Sequence, residues 1–205
     1  MKHAGTKTIE TGRLVLRPFR IEDAQPMYEN WASDPEVTKF LMWPTHPSVE
    51  VSREVLKSWI CQYPDEKYYQ WAIVLKENGD MPIGSIAVVH QNEEIGMVHI
   101  GYCIGRRWWR QGVTSEALQA LITFFMEEVG VNRVESRHDS NNPNSGKVME
   151  KCGMKLEGVL RQADWNNQGI CDSCMHGILA SDYFAGISAG FPAETEEESR
   201  LLATE

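Results

Sequence analysis

Residues 98–118 read VHIGYCIGRRWWRQGVTSEAL. The stretch changes character twice. Residues 98–104 form an apolar run of strand length. Residues 105–112 then hold two glycines, three arginines and two adjacent tryptophans, and Ser115 and Glu116 open a helical pattern. A helix N-terminus exposes unpaired N–H groups and a partial positive charge, which suits an anion and above all a phosphate. Gly112 permits close approach of a ligand to the backbone, and Arg106, Arg107 and Arg110 supply charge. Strand, loop, glycine and helix in this order predict a phosphate cradle. It is neither a P-loop nor a dinucleotide fingerprint, because both glycine patterns are missing. The same residues also read as a surface loop over tryptophans packed on a sheet, and the pattern alone leaves both readings open.

Working outward, residues 13–19 alternate as a strand that Pro18 ends. Residues 21–41 read as one or two helices, broken and restarted at Asp34-Pro35. Residues 48–63 form an amphipathic helix with Val51, Val55, Leu56, Trp59 and Ile60 on one face. Three strands follow, at 70–75, 83–90 and 95–105, joined by turns at Asn78-Gly79 and at residues 91–94. Beyond the cradle, residues 115–130 form a helix with an apolar stripe of Leu118, Leu121, Ile122, Phe125 and Val129, closed by Gly130. A strand at 132–139 precedes a short helix at 142–153, for which Asn142, Pro143 and Gly153 are cap, first-turn and end residues. Two strands, 155–165 and 170–179, flank the polar turn NNQG. The order predicts an α/β (α+β) fold in which helices cover a mixed sheet of about seven strands.

The chain has 205 residues, with 20 Lys and Arg against 29 Asp and Glu. One domain over 1–184 and an acidic tail over 185–205 are expected. A net charge of −9 argues against nucleic acid as a partner. The absence of a long apolar run and of an apolar leader predicts a cytoplasmic protein with no membrane span. Five cysteines do not suggest a disulfide scaffold. Cys171 and Cys174 form a C-x-x-C without a second pair or suitably spaced histidines, so no metal is expected.

Taken together, four stretches resemble the GNAT N-acetyltransferase superfamily: ETGRLVLRPFRIEDA (10–24), SDPEV (33–37), residues 98–118, and NNPNSGKVMEKCGMKLEGVLR (141–161). Within it the chain is most similar to the ribosomal-protein N-terminal acetyltransferase branch, over residues 10–184. The resemblance implies a mostly antiparallel, splayed sheet and acetyl-CoA as co-substrate. It implies a pyrophosphate site on the backbone of Trp109, Arg110, Gln111, Gly112, Val113, Thr114 and Ser115. Gly112 matches the family's Gln/Arg-x-x-Gly-x-Gly/Ala, whereas Trp109 and Thr114 depart from it. Backbone groups of Cys103 and Ile104 would meet the pantetheine arm and polarise the thioester carbonyl. Cys103 also admits a nucleophile reading, set against a packed cysteine.

By the same resemblance Asn142 binds the pantetheine arm and Ser145 protonates the leaving thiolate; both residues also fit as helix caps. Many relatives place a tyrosine in this helix, where this chain has Met149. His99 occupies the position of a general base, or is a histidine packed on a sheet face. Asp164 is the second candidate base. The implied reaction is direct attack by a primary amine, on a protein N-terminus or a small molecule such as a polyamine or aminoglycoside. A CoA-binding sensor without turnover and a purely structural interaction domain are the competing classes. The chain would act as a monomer or a homodimer.

Overall fold

The computed structural model describes residues 1–188, so nearly all of the tail expected at 185–205 lies outside the described residues. One eight-stranded sheet organises the chain, in the order β1-β2-β3-β4-β5-β6-β8-β7. The strands are β1 (Ile9–Glu10), β2 (Leu14–Arg17), β3 (Gln70–Leu75), β4 (Pro82–Asn92), β5 (Met97–Ile104), β6 (Arg133–Asp139), β7 (Lys155–Asn166) and β8 (Gly169–Leu179). All neighbours pair antiparallel except β5 and β6. The sheet exceeds the expected seven strands by β1, two residues too short to show any alternation.

Helices cover both faces. Residues 21–32 are helical in three short segments around α1 (Ala24–Met27), and α2 (Pro35–Thr38) restarts after Asp34, whose carboxylate caps the Glu36 amide at 2.9 Å. α3 is Val49–Ile60, α4 Val113–Thr123 with a wider turn continuing to Val129, α5 Pro143–Lys151 and α6 Ala180–Ser188. The period of two along β3 builds two cores. Trp71, Ile73 and Leu75 join Val98, Ile100 and the α4 stripe on one face. Ala72 and Val74 join Trp31 and Leu56 on the other.

The α3 face differs from its expected composition. Val51 is exposed, while Ser52 is fully buried beside Leu56. The polar residue lies inside because Ser52 Oγ meets the buried His46 Nδ1 at 2.8 Å, and a paired hydroxyl costs little to bury.

Candidate active site

β5 and β6 pair only at Met97↔Arg133, Val98↔Val134 and His99↔Glu135. Beyond that point the strands part. The Ser136 hydroxyl bridges to the Ile100 carbonyl at 2.7 Å, and no further β5–β6 ladder pair follows among the described residues. A bulge in β4 at Val89 lies opposite this apex. Backbone groups alternate along a strand, so the Ile100 carbonyl fixes the phase: Tyr102 and Ile104 direct their backbone groups toward the opening. Cys103 directs its own at β4, where it pairs with Ser85. Tyr102 thus takes the place expected for Cys103. The Ile104 carbonyl already accepts from Trp109 Nε1 at 2.9 Å.

The glycine loop continues from the end of β5. Arg110 and Gly112 both adopt left-handed backbone, at φ 62° and 72°, and Gly112 is the N-cap of α4. Successive turns of this kind gather N–H groups into an anion-binding concavity. A Cβ added at Gly112 would lie 3.5 Å from Arg13 Nη2 and 3.9 Å from Lys151 Nζ. Two cations from distant segments therefore border the bare glycine, and the cradle fits a phosphate-bearing donor. Arg13 is held there by Glu116, at 2.7 Å from Nε, and by the Gln111 carbonyl, at 3.0 Å from Nη1. Burial opposes the Glu116 charge, but hydrogen bonds from Thr11 and Arg13 outweigh it and hold the carboxyl below its usual range. Val113 and Ser115 are buried at the helix start, and Thr114 is half-buried.

The three loop arginines separate. Arg106 is bound at 3.0 Å to Asp34, the α2 cap, so its charge is engaged within the fold. Arg107 lies over the ring of the buried Trp108.

The two faces of β5 carry different chemistry. Tyr102 and His99 are three residues apart and so point to opposite sides. On the α4 side, the Tyr102 hydroxyl lies 2.9 Å from Ser145 Oγ and 3.1 Å from the Ser145 carbonyl. Burial pushes the Tyr102 hydroxyl well above its ordinary value, so it keeps its proton. Asn142 stands at the N-cap of α5 without a side-chain cap bond.

On the other side, His99 is buried and its Nδ1 lies 3.1 Å from Glu135 Oε1. Burial pushes the imidazole below its ordinary value, outweighing Glu135. Glu135 is also gripped by Arg133, at 2.8 Å. With Nδ1–H donated to the carboxylate, Nε2 is left as the basic nitrogen. Asp164 is committed elsewhere: Arg137 Nε holds it at 2.7 Å and the Trp165 amide donates to it at 2.9 Å. Burial raises the Cys103 thiol, whose Sγ lies 3.5 Å from Ser85 Oγ. A protonated thiol is a poor nucleophile, and Cys103 packs against the second core.

Sequence reasoning missed Arg13, Lys151, Tyr102, Glu135 and Arg137. A signal existed for the last two. Along β6, Arg133, Glu135, Arg137 and Asp139 alternate with Val134, Ser136 and His138, which places four charges on one face. Cys171 is half-buried and Cys174 buried, on opposite faces of β8.

Residues 13–155 match the acetyltransferase (GNAT) domain. The N-acetyltransferase p20 of Bacillus licheniformis is 30% identical over 177 residues, covering 86% of this chain and 98% of p20. The ribosomal-protein-serine acetyltransferase of Escherichia coli is 27% identical over 170 residues, covering 82% of this chain and 93% of that protein. Among solved structures, the ribosomal L7/L12 α-N-protein acetyltransferase RimL in complex with coenzyme A aligns with a TM-score of 0.76 at 20% identity, over 86% of this chain and 99% of that one. Among the described residues no helix is long and apolar enough to cross a membrane. With the splayed strands and glycine cradle in place, the match over most of the sheet establishes that the chain belongs to the GNAT acetyltransferase family.

Proposed function

We propose that the protein transfers the acetyl group of acetyl-CoA to a primary amine by direct attack, and that the amine is a protein N-terminal α-amine of ribosomal-protein type. The observation that carries the reading is the arrangement at the β5–β6 apex. A neutral histidine lies on one face and a serine–tyrosine pair on the other, so acceptor and donor can meet through the opening.

The donor's phosphates would sit on the backbone from Trp109 to Ser115, bordered by Arg13 and Lys151. Its arm would follow the backbone of Tyr102 and Ile104 and the side chain of Asn142. Bound there, acetyl-CoA supplies an activated acetyl thioester. His99 Nε2 takes a proton from the incoming ammonium, with Glu135 fixing the tautomer. An α-amine, of pKa about 8, needs far less of this base than a lysine amine at about 10.4. The Ile104 N–H region stabilises the negative charge that develops on the carbonyl oxygen. Ser145 holds the proton that a thiolate leaving group requires, and Tyr102 orients it. Asp164 is the weaker candidate base, since both its oxygens are engaged.

A ribosomal-protein acceptor is supported by the Escherichia coli relative, a ribosomal-protein-serine acetyltransferase, and an α-amine by the similar RimL, an α-N-protein acetyltransferase; a polyamine or aminoglycoside is the alternative acceptor. A sensor without turnover drew its support from the missing tyrosine of α5, and Tyr102 supplies a hydroxyl at Ser145 from the neighbouring strand. The test is incubation with acetyl-CoA and a panel of peptides with free N-terminal serine or alanine, spermidine and an aminoglycoside. Thiol release and the mass gain of one acetyl group are expected on a peptide N-terminus. Acetylation of the small amines alone would overturn the acceptor assignment, and donor binding without product would establish the sensor.

A further inference from the structure

The turn between β7 and β8 holds two adjacent asparagines that reach in opposite directions. Asn166 is buried, and its Nδ2 donates to Asp139 Oδ2 at 2.7 Å, at the end of β6. Burial works against the Asp139 charge, but donations from Asn141 and Asn166 prevail and keep the carboxyl ionised below its ordinary range. This bond fixes the turn to the sheet. Asn167 reaches away from the sheet. Its backbone N–H donates to the Leu41 carbonyl at 3.1 Å, and its Nδ2 donates to the carbonyls of Thr38 at 2.9 Å and Trp43 at 2.8 Å. Thr38 is the last residue of α2 and Leu41 and Trp43 lie in the loop that follows; the two side-chain partners are 129 and 124 residues earlier in the chain.

A second contact shows where the loop is held. Met42 Sδ lies 3.9 Å from Arg137 Nη2, and the same arginine grips Asp164. Arg137 lies on the β6 face that carries Glu135, the partner of His99. Met42 is 45% exposed. The loop thus stands beside the charged face next to the apex, with a thioether open to solvent.

We infer that Asn167 is a positioning residue for the acceptor amine: it clamps residues 38–43 against the β7–β8 turn and so sets one wall of the acceptor cleft. The inference rests on the acetyl-transfer reading above. A carboxamide is the group for this task, because its NH₂ carries two protons and meets two carbonyls at once. The isosteric carboxylate has none and would face both carbonyls with like partial charge. Asn167→Asp therefore removes the clamp at constant volume, while the backbone bond to Leu41 is retained.

Two readouts on the full chain decide it. Hydrogen–deuterium exchange needs no turnover. Asn167→Asp should raise exchange across residues 38–43 and leave residues 110–116 as in the wild type. Kinetics with acetyl-CoA and a synthetic peptide bearing a free N-terminal serine should show amine KM raised roughly tenfold, with acetyl-CoA affinity changed less than about twofold. Asn167→Gln, which keeps the amide donor, should recover part of the amine KM. Unchanged exchange at 38–43, or raised exchange with unchanged amine KM, would overturn the inference. A parallel loss of amine and donor affinity would do the same, since it marks general destabilisation. Failure of the wild type to acetylate any amine is a separate result: it removes the acetyl-transfer reading, and the exchange readout then decides whether Asn167 holds the loop.

Discussion

The two faces of the sheet at the β5–β6 apex are built by different means. On the α4 face the donor cradle consists of backbone: two left-handed residues, a helix start and the unpaired edge of β5. Its cations are Arg13, just before β2, and Lys151, at the end of α5. On the opposite face the acceptor side consists of side chains: His99 on Glu135, Asp164 on Arg137, and a loop clamped by Asn167. A backbone cradle tolerates sequence change, which on the proposed reading lets Trp109 and Thr114 depart from the family pattern. A side-chain cleft changes with every substitution, and on the proposed reading this face governs acceptor choice.

The contrast is open to direct attack, and the largest effect is expected at Gly112. Glu at this position forces a left-handed conformation on a residue with a Cβ, a strain of about 1–2 kcal/mol, and sets a carboxylate in the space that Arg13 and Lys151 border. Acetyl-CoA binding should be abolished as read by calorimetry, with folding checked by circular dichroism. Retained affinity would place the donor elsewhere.

Next in size is the base. His99→Ala should lower turnover by about 10²–10⁴. The sign of the pH effect follows from burial. The imidazole must be neutral to accept a proton, and its folded-state value lies below that of a free histidine, near 6.5. The kcat/KM profile should therefore hold near neutrality and fall as pH drops through the depressed value below 6.5. That acidic limb should vanish in His99→Ala. If it persists and Asp164→Asn removes it, the base is Asp164.

A smaller effect is expected from the hydroxyl pair. Ser145→Ala and Tyr102→Phe should each slow turnover about tenfold and combine less than additively, because they share one hydrogen bond. Full additivity would separate them. The smallest change belongs to Arg106→Ala. Its partner is Asp34, so thermal stability should drop by about 1 kcal/mol or less while acetyl-CoA affinity holds.

This division also explains what was legible in the sequence. The seven longer strands, the α4 stripe and the glycine cradle follow from local patterns: alternation, a 3.6 period, and a glycine before a helix. The acceptor side depends on partners far apart in the chain, such as Asn167 with Thr38, or Asp164 with Arg137, and no local pattern encodes those pairs. Tyr102 lies between the two cases. Strand alternation already sets it opposite His99, on the side where α4 packs, but its meeting with Ser145 depends on how α5 docks. Val51 marks a similar limit, since a helical period fixes which residues share a face, and tertiary packing, here His46 on Ser52, fixes how far that face turns inward.

The central claim is that donor binding and proton abstraction reside on separate faces of one strand. Titrating acetyl-CoA into His99→Ala by calorimetry tests it most directly. The account predicts a dissociation constant within about twofold of the wild type in a protein that no longer turns over. An affinity that falls in step with the lost turnover would contradict it, since the two faces would then be one site.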